Sequence, residues 1–239
     1  MKTKKFWVFR NQAEEGQEGR VLELYGTIAA ESWFDDDVTP KMFHDELFAE
    51  TGPVTIWINS PGGDCVAASQ IYSMLIDYPG TVTVKIDGVA ASAASVIAMA
   101  GTEVLMAPTA LMMIHNPATV AAGDHNDMKM AIKMLDEVKQ SIINAYSIRT
   151  GLSDEELSRM MEAQTWMNAR KAIALGFADG MLEDCKHSAV DMAAFSYAQK
   201  TTDEALMKKL VAKYSKPKTN TGREISALLE KLNSKEVSE

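Results

Sequence analysis

The sequence predicts an α/β domain built on a largely parallel sheet. Short apolar segments typical of strands alternate along the chain with longer segments whose apolar residues recur at helical spacing. Turn and capping residues separate most of these segments, as they do in βαβ units. At 239 residues, with 46% hydrophobic and 24% charged side chains, the chain has the composition of an ordinary globular protein.

The predicted elements follow one another in a regular order. The strands are short and rich in apolar residues, and they cover residues 21–25, 54–58, 81–86, 103–106 and 111–114. The longer helices cover residues 39–50, 88–100 and 126–149, together with a helix that begins after Asp64 and ends before Pro79. Two short helices are predicted near the end, one begun by Ser153 and one capped by Asn168.

Composition divides the chain into three parts. Residues 1–19 are expected to form an N-terminal strand or arm, and residues 20–185 the main domain. Residues 186–239 are poorer in apolar periodic segments and predict a partly ordered extension. Its two short amphipathic helices are expected at 204–214 and 224–232.

Charge and cysteine content exclude several classes of protein. The net charge of −9 argues against a general nucleic-acid binder. The longest uncharged run, residues 104–123, contains two prolines and polar residues, so no membrane span is expected. Cys65 and Cys185 lack metal-site spacing and predict reduced thiols of a cytoplasmic protein. We expect no metal and no cofactor.

Two glycine-rich or small-residue segments predict chemistry. Gly62 and Gly63 follow a predicted strand, and such a pair allows a positive φ and a close approach to main-chain N–H groups. The pair also fits a simple turn. Ser92 is expected in the first turn of the helix at 88–100, where a hydroxyl near the positive helix end suits a nucleophile. Ser95 is expected only to cap that helix or to allow close packing.

The third candidate is His115, which ends an apolar strand just before Asn116 and Pro117. A lone histidine after such a strand is usually a hydrogen-bonded core residue, but strand ends are also where α/β sheets place their chemistry. A serine, a histidine and a glycine pair together supply a nucleophile, a general base and N–H donors for an oxyanion.

In this order the motifs resemble those of the proteolytic subunit of Clp protease. The resemblance is greatest to its phage and prophage relatives, which look like head-maturation peptidases. It runs from about residue 21 to residue 182, and its carriers are Ile58-Asn-Ser-Pro-Gly-Gly63, the segment 87–101, Met112-Met-Ile-His-Asn-Pro117, and Thr165-Trp-Met-Asn-Ala169 followed by Leu175-Gly-Phe-Ala-Asp179.

The resemblance implies the ClpP/crotonase-like fold, with repeated β-β-α units and a protruding long helix. It implies a serine endopeptidase in which Ser92 is the nucleophile and His115 the general base. Gly63 and Ala93 match the two N–H donors of the oxyanion hole. The helix at 126–149 matches the one that packs two rings together, so a homo-oligomer of stacked rings is expected.

The third member of the catalytic triad departs from the family pattern. The position that holds an aspartate in Clp peptidases is Gln164 here. Glutamine can accept the histidine N–H but carries no charge to stabilise an imidazolium. Glu162 is the nearest acid and remains an alternative third member, whereas the resemblance gives Asp179 a structural role.

The implied partners are protein or peptide substrates, an ATP-dependent unfoldase, and phage capsid or portal proteins. The chain has no phosphate-binding GxxxxGK[ST] motif, so any ATP dependence must come from a partner. Three alternatives stay open: a crotonase-type acyl-CoA enzyme, a membrane-linked Ser-Lys peptidase, and a weakly active or non-catalytic ring protein.

Overall fold

The computed structural model describes residues 5–11, 19–29 and 39–182. Eight strands and six helices occur in these ranges: β1 (Trp7–Asn11), β2 (Arg20–Tyr25), α1 (Pro40–Leu47), β3 (Val54–Ser60), α2 (Cys65–Asp77), β4 (Val82–Ala91), α3 (Ala93–Ala98), β5 (Glu103–Met106), β6 (Leu111–Ile114), α4 (His125–Thr150), α5 (Asp154–Glu162), β7 (Thr165–Asn168), α6 (Ala169–Ala174) and β8 (Gly180–Met181). The extension predicted for residues 186–239 lies outside the described residues.

All eight strands belong to one sheet. Its main path is β1-β2-β3-β4-β5-β8, and β6 and β7 branch from β4. The β1–β2 and β6–β7 pairs are antiparallel, and the other pairs are parallel. The predicted α/β fold with a largely parallel sheet is therefore confirmed.

Strand β4 has different partners along its length. Its first half pairs with β5, and its last three residues, 89–91, pair with β6. Between the two halves the register with β3 shifts, because the pair Ile58–Ile86 is followed by the pair Ser60–Ala90. Such a bulge bends a strand. The bend separates the β4–β5 pairing from the β4–β6 pairing.

The predicted helix at 88–100 is wrong over its first part. Residues 88–91 continue β4, and the helix there, α3, is only Ala93–Ala98. Alanine favours a helix locally, but tertiary pairing overrides such a preference. Ala90 and Ala91 lie in ladders with Ser60, Met112 and Met113, and both alanines are buried.

One large apolar core lies between the sheet and the helices. It combines inward residues of β2, β3 and β4 with the buried faces of α1, α2 and α3 and the second half of α4. A smaller apolar cluster of Val89, Ala91 and Met113 is separate from it. Since alternate strand residues face opposite sides, the β4–β6 pair contributes to an apolar cluster on each side of the sheet.

Helix α4 is capped at both ends, and only its second half is buried in the core. Asp124 and Asp127 form a capping box at its start, and Gly151 ends it with a φ of 71°. The fully buried residues of α4 all lie between 142 and 146. Earlier in the helix Met130 is 69% exposed and Ile132 is 60% exposed. The first half of α4 therefore presents apolar side chains outward.

Candidate active site

Ser92 occupies a sharp turn between β4 and α3. Its φ is 54° and its ψ is −126°, a conformation that residues with a Cβ rarely adopt. Ser92 therefore precedes α3, and the expectation that it lies inside the first helical turn is wrong. The backbone N–H of Ser92 donates to the carbonyl of Met113 at 2.8 Å. This bond ties the turn to the neighbouring strand β6.

His115 comes directly after β6, which lies beside the end of β4. Its Nε2 is 2.7 Å from Ser92 Oγ, within hydrogen-bond distance. With the ring hydrogen on Nδ1, the serine hydroxyl donates and the imidazole accepts. The structure therefore brings together the two side chains that the sequence nominates as nucleophile and base, from positions 23 residues apart.

Burial lowers the pKa of His115 from its ordinary value of 6.5. Desolvation is the only cause, because it disfavours the charged imidazolium. Within the described residues no carboxylate offsets this effect. The imidazole is therefore neutral at physiological pH, which is the state that a general base requires.

Gln164 follows α5 and precedes β7. The antiparallel pairing of β6 with β7 ends at Ile114 and Thr165, so His115 and Gln164 are the residues directly beyond the last pair. The φ of Gln164 is 47°, and its N–H donates to Met161 O at 3.1 Å to close the helix. Among the described residues, no hydrogen bond joins the Gln164 side chain to the His115 ring.

Glu162, the alternative third member, lies at the end of α5. Its Oε1 accepts hydrogen bonds from Lys139 Nζ at 3.0 Å and from Ser158 Oγ at 3.2 Å. The hydrogen bond from Lys139 holds the pKa of Glu162 below its ordinary value. These contacts join Glu162 to α4 and to its own helix, and none of them involves His115.

Asp179, which the sequence assigns a structural role, lies elsewhere. It accepts a hydrogen bond from Val104 N at 2.7 Å and pairs with Arg149 of α4. Both contacts join β5 and α4 to the loop before β8. Asp179 therefore joins structural elements, and neither of these two contacts involves His115.

Among the described residues, the main-chain N–H of Gly63 has no hydrogen-bond partner. Ile28 N donates to Gly62 O, and Asp64 N donates to Ile28 O. These two bonds use groups of the residues on either side of Gly63, and neither uses the Gly63 N–H. A Cβ on Gly63 would lie 2.2 Å from Ile28 O, and the φ of Gly63 is 150°. Only glycine fits this position. Ala93 begins α3, so its N–H lacks a partner within the helix.

Gly62 contacts the nucleophile turn directly, a role that the sequence did not indicate. A Cβ there would lie 2.7 Å from Ser92 Cβ and 2.6 Å from Ala91 O. Its φ of 96° also requires glycine. The two glycines were visible as a pair, but only the structure shows which partner each one meets.

Ser95 was expected to be a packing or capping residue, and the structure gives it a more specific contact. Its hydroxyl donates to Ser92 O at 2.6 Å and lies 2.8 Å from the hydroxyl of Tyr146. Tyr146 is buried on α4. Nothing in the local sequence connects these two residues.

The described ranges contain neither a candidate metal site nor a candidate membrane span. No group of three or more histidine, cysteine or acidic side chains there could hold a metal ion. No helix in that part of the chain is long and apolar enough to cross a membrane.

Comparison with known proteins identifies the family of this chain. The family model described as Clp protease matches residues 17–184. The chain is 29% identical over 179 residues to the ATP-dependent Clp protease proteolytic subunit 1 of Chlamydia abortus, covering 72% of this chain and 93% of that protein. It is 30% identical over 155 residues to the ATP-dependent Clp protease proteolytic subunit of Porphyromonas gingivalis, covering 62% and 70%. The family match spans the serine, the histidine and both glycines, and on it this chain belongs to the Clp protease family of serine-type peptidases.

Proposed function

We propose that this protein is a serine endopeptidase that uses Ser92 as nucleophile and His115 as general base. The observation that supports it most is the 2.7 Å contact between His115 Nε2 and Ser92 Oγ at the end of adjacent strands. Burial keeps the imidazole neutral, and the turn at Ser92 presents the hydroxyl outside both β4 and α3.

The reaction has two steps. His115 takes the proton from Ser92 Oγ as the oxygen attacks the scissile carbonyl carbon, and the N–H groups of Gly63 and Ala93 stabilise the resulting oxyanion. The imidazolium then gives its proton to the leaving amine, and an acyl-enzyme remains. Water, deprotonated by His115, attacks that ester, and collapse of the second tetrahedral intermediate returns the proton to Ser92.

A fluorophosphonate probe tests the nucleophile. We expect covalent labelling of the parent at Ser92 and hydrolysis of a small fluorogenic peptide. Ser92→Ala should lose both while keeping its oligomeric state, since the change removes one oxygen atom. A labelled parent excludes the crotonase alternative, whereas turnover of an acyl-CoA ester without labelling would support it. A Ser92→Ala variant that cleaves as fast as the parent refutes the assignment.

We also propose that the chain assembles into rings, stacked through α4, that enclose the active sites. The exposed Met130 and Ile132 of α4 support this, because exposed apolar residues on one helix mark a contact surface. The two relatives named above are each called a proteolytic subunit of an ATP-dependent protease. An ATP-dependent unfoldase is therefore the partner we propose for protein substrates.

Two substrate classes follow from this proposal. Phage capsid or portal proteins are the substrates expected from the resemblance to head-maturation peptidases, and unfolded proteins are those expected with an unfoldase. Incubating the purified protein with each class, with and without an unfoldase and ATP, distinguishes them by the cleavage products. Localisation in the cytoplasm remains a prediction of the sequence.

A further inference from the structure

Ser95 and Tyr146 form a buried hydrogen-bonded chain that ends on the backbone of Ser92. The Ser95 hydroxyl has one hydrogen, and it points to Ser92 O at 2.6 Å. Tyr146 OH, 2.8 Å away, is therefore the donor to Ser95 Oγ. Ser95 is 0% exposed and Tyr146 is 1% exposed, so water does not compete for these bonds.

The carbonyl that receives this chain belongs to the same peptide unit as the N–H of Ala93. A peptide unit is planar and trans, so its C=O and N–H point in opposite directions. Ser92 O also accepts from Ser95 N at 2.9 Å. Two bonds that hold the carbonyl inside the protein thus aim the Ala93 N–H to the opposite side.

This orientation needs support because the turn has an alternative. At a φ of 54° the ψ of Ser92 is −126°, whereas the common left-handed conformation at that φ has a positive ψ. Rotation of the Ser92–Ala93 peptide unit toward that conformation would turn the Ala93 N–H away. Hydrogen bonds to the unit's own carbonyl oxygen oppose this rotation directly.

We infer that Ser95 and Tyr146 are positioning residues of this peptidase: their hydroxyls hold the Ser92 carbonyl so that the Ala93 N–H donates to the oxyanion. The inference rests on the proposed function. It also connects α4 to the nucleophile turn, because Tyr146 lies in the buried second half of that helix. Burial raises the pKa of Tyr146, so its hydroxyl remains protonated and able to donate.

Two conservative variants test the hydrogen-bonded chain that runs from Tyr146 through Ser95 to the Ser92 carbonyl. Ser95→Ala removes both side-chain bonds, and we expect kcat for peptide hydrolysis to fall about 10- to 100-fold with KM unchanged, somewhat less than the loss of a whole oxyanion donor. Tyr146→Phe leaves Ser95 in place, and kcat should fall about 3- to 10-fold. Because Tyr146 acts through Ser95, the double variant should be no slower than Ser95→Ala alone.

A pair of inhibitors separates positioning from general damage to the fold. A peptide aldehyde forms a tetrahedral adduct with the nucleophile and places an oxygen in the oxyanion hole, whereas the matching peptide alcohol binds without reacting. We expect both variants to weaken binding of the aldehyde by the same factor by which kcat/KM falls. Binding of the alcohol should be unchanged. The inference is overturned if the variants weaken binding of the aldehyde and of the alcohol equally. It is also overturned if the fall in kcat of the double variant is the product of the two single falls.

Matched controls are available on α2. Ser73 makes a similar bond, to Ser69 O at 3.0 Å, and the hydroxyl of Tyr72 has no hydrogen bond within the described residues. Ser73→Ala and Tyr72→Phe should keep the parental kcat and aldehyde affinity. If Ser92→Ala is inactive while Ser95→Ala and Tyr146→Phe are as fast as the parent, only the positioning role fails. If Ser92→Ala stays active, the proposed function itself fails.

Discussion

The imidazole of His115 contacts a hydroxyl on one side and, among the described residues, no carboxylate on the other. Gln164 directly precedes Thr165, the β7 residue that pairs with Ile114, so it lies at the same end of the β6–β7 pair as His115. Glu162 accepts hydrogen bonds from Lys139 and Ser158. The identity of the third member stays a prediction.

Gln164→Asp should increase kcat for peptide hydrolysis at neutral pH by about 10-fold or more. A carboxylate behind the imidazole stabilises the imidazolium formed in the transition state, and its loss in a trypsin-like triad costs about 10⁴. Steady-state kinetics on a fluorogenic peptide measures the change. Glu162→Gln is the matched control and should leave kcat within about 2-fold, since an exposed ion pair contributes little.

Opposite results would reassign the triad. If Glu162→Gln lowers kcat by orders of magnitude while Gln164→Asp has no benefit, Glu162 is the third member. If neither substitution changes the rate, position 164 is not behind the imidazole in the active enzyme.

The pH dependence of kcat/KM follows from the buried state of His115. A base must be deprotonated, and burial lowers the pKa of His115 below 6.5, so the rate should rise with pH and reach half its plateau below pH 6.5. Gln164→Asp should move this midpoint upward, because a nearby negative charge favours the imidazolium. Rate profiles from pH 5 to pH 8 measure both. A parental midpoint well above 6.5 would indicate an unassigned carboxylate near the ring.

The turn between β3 and α2 packs against the turn between β4 and α3, and Gly62 is the contact. Gly62→Ala would place a Cβ 2.6 Å from Ala91 O and 2.7 Å from Ser92 Cβ. Because the obstacle includes backbone, we expect a loss of about 2–4 kcal/mol of stability, more than strain at a positive φ alone, and a loss of most peptidase activity. Chemical denaturation and steady-state kinetics measure the two effects.

Gly151→Ala is the control for that variant. Gly151 also has a positive φ, of 71°, but a Cβ there meets nothing within 4 Å. It should cost about 1–2 kcal/mol through backbone strain and leave kcat unchanged. If the two substitutions lower stability and kcat equally, the contact between Gly62 and Ser92 contributes nothing beyond the strain of a positive φ.

The first half of α4 is the surface that we expect to hold copies of the chain together. Exposed Met130 and Ile132 would be covered in a ring assembly, where a charge is costly. Ile132→Glu should therefore reduce the oligomer to smaller species at micromolar concentration, as measured by light scattering. Met130→Leu preserves an apolar side chain of similar volume and should assemble like the parent. A monomeric parent would refute the assembly itself.

Local patterns were sufficient for most elements of the molecule. The strands predicted at 103–106 and 111–114 are β5 and β6. The caps at Asp64, Ser153 and Asn168 each accept the expected main-chain hydrogen bond. These features depend on side chains within a few residues of one another, so a single sequence contains the information.

The nucleophile turn could not be placed in the same way. Residues 88–91 are strand because β3 and β6 pair with them, although the two alanines there favour a helix. The turn at Ser92, with its positive φ, follows from that pairing and from Gly62, whose close approach requires a glycine. Strand pairing joins segments distant in sequence, and no local propensity records it.

Motif order and periodicity are properties of the amino-acid sequence alone, and they were enough to predict the α/β class and to nominate Ser92, His115 and the glycine pair. Only the packed elements show that Ser92 Oγ and His115 Nε2 lie 2.7 Å apart and that the β6–β7 pairing ends one residue short of His115 and Gln164. It also joined Ser95 to Tyr146 across 51 residues. Each of these depends on how separate elements pack, since a distance between side chains exists only after their backbones have been positioned.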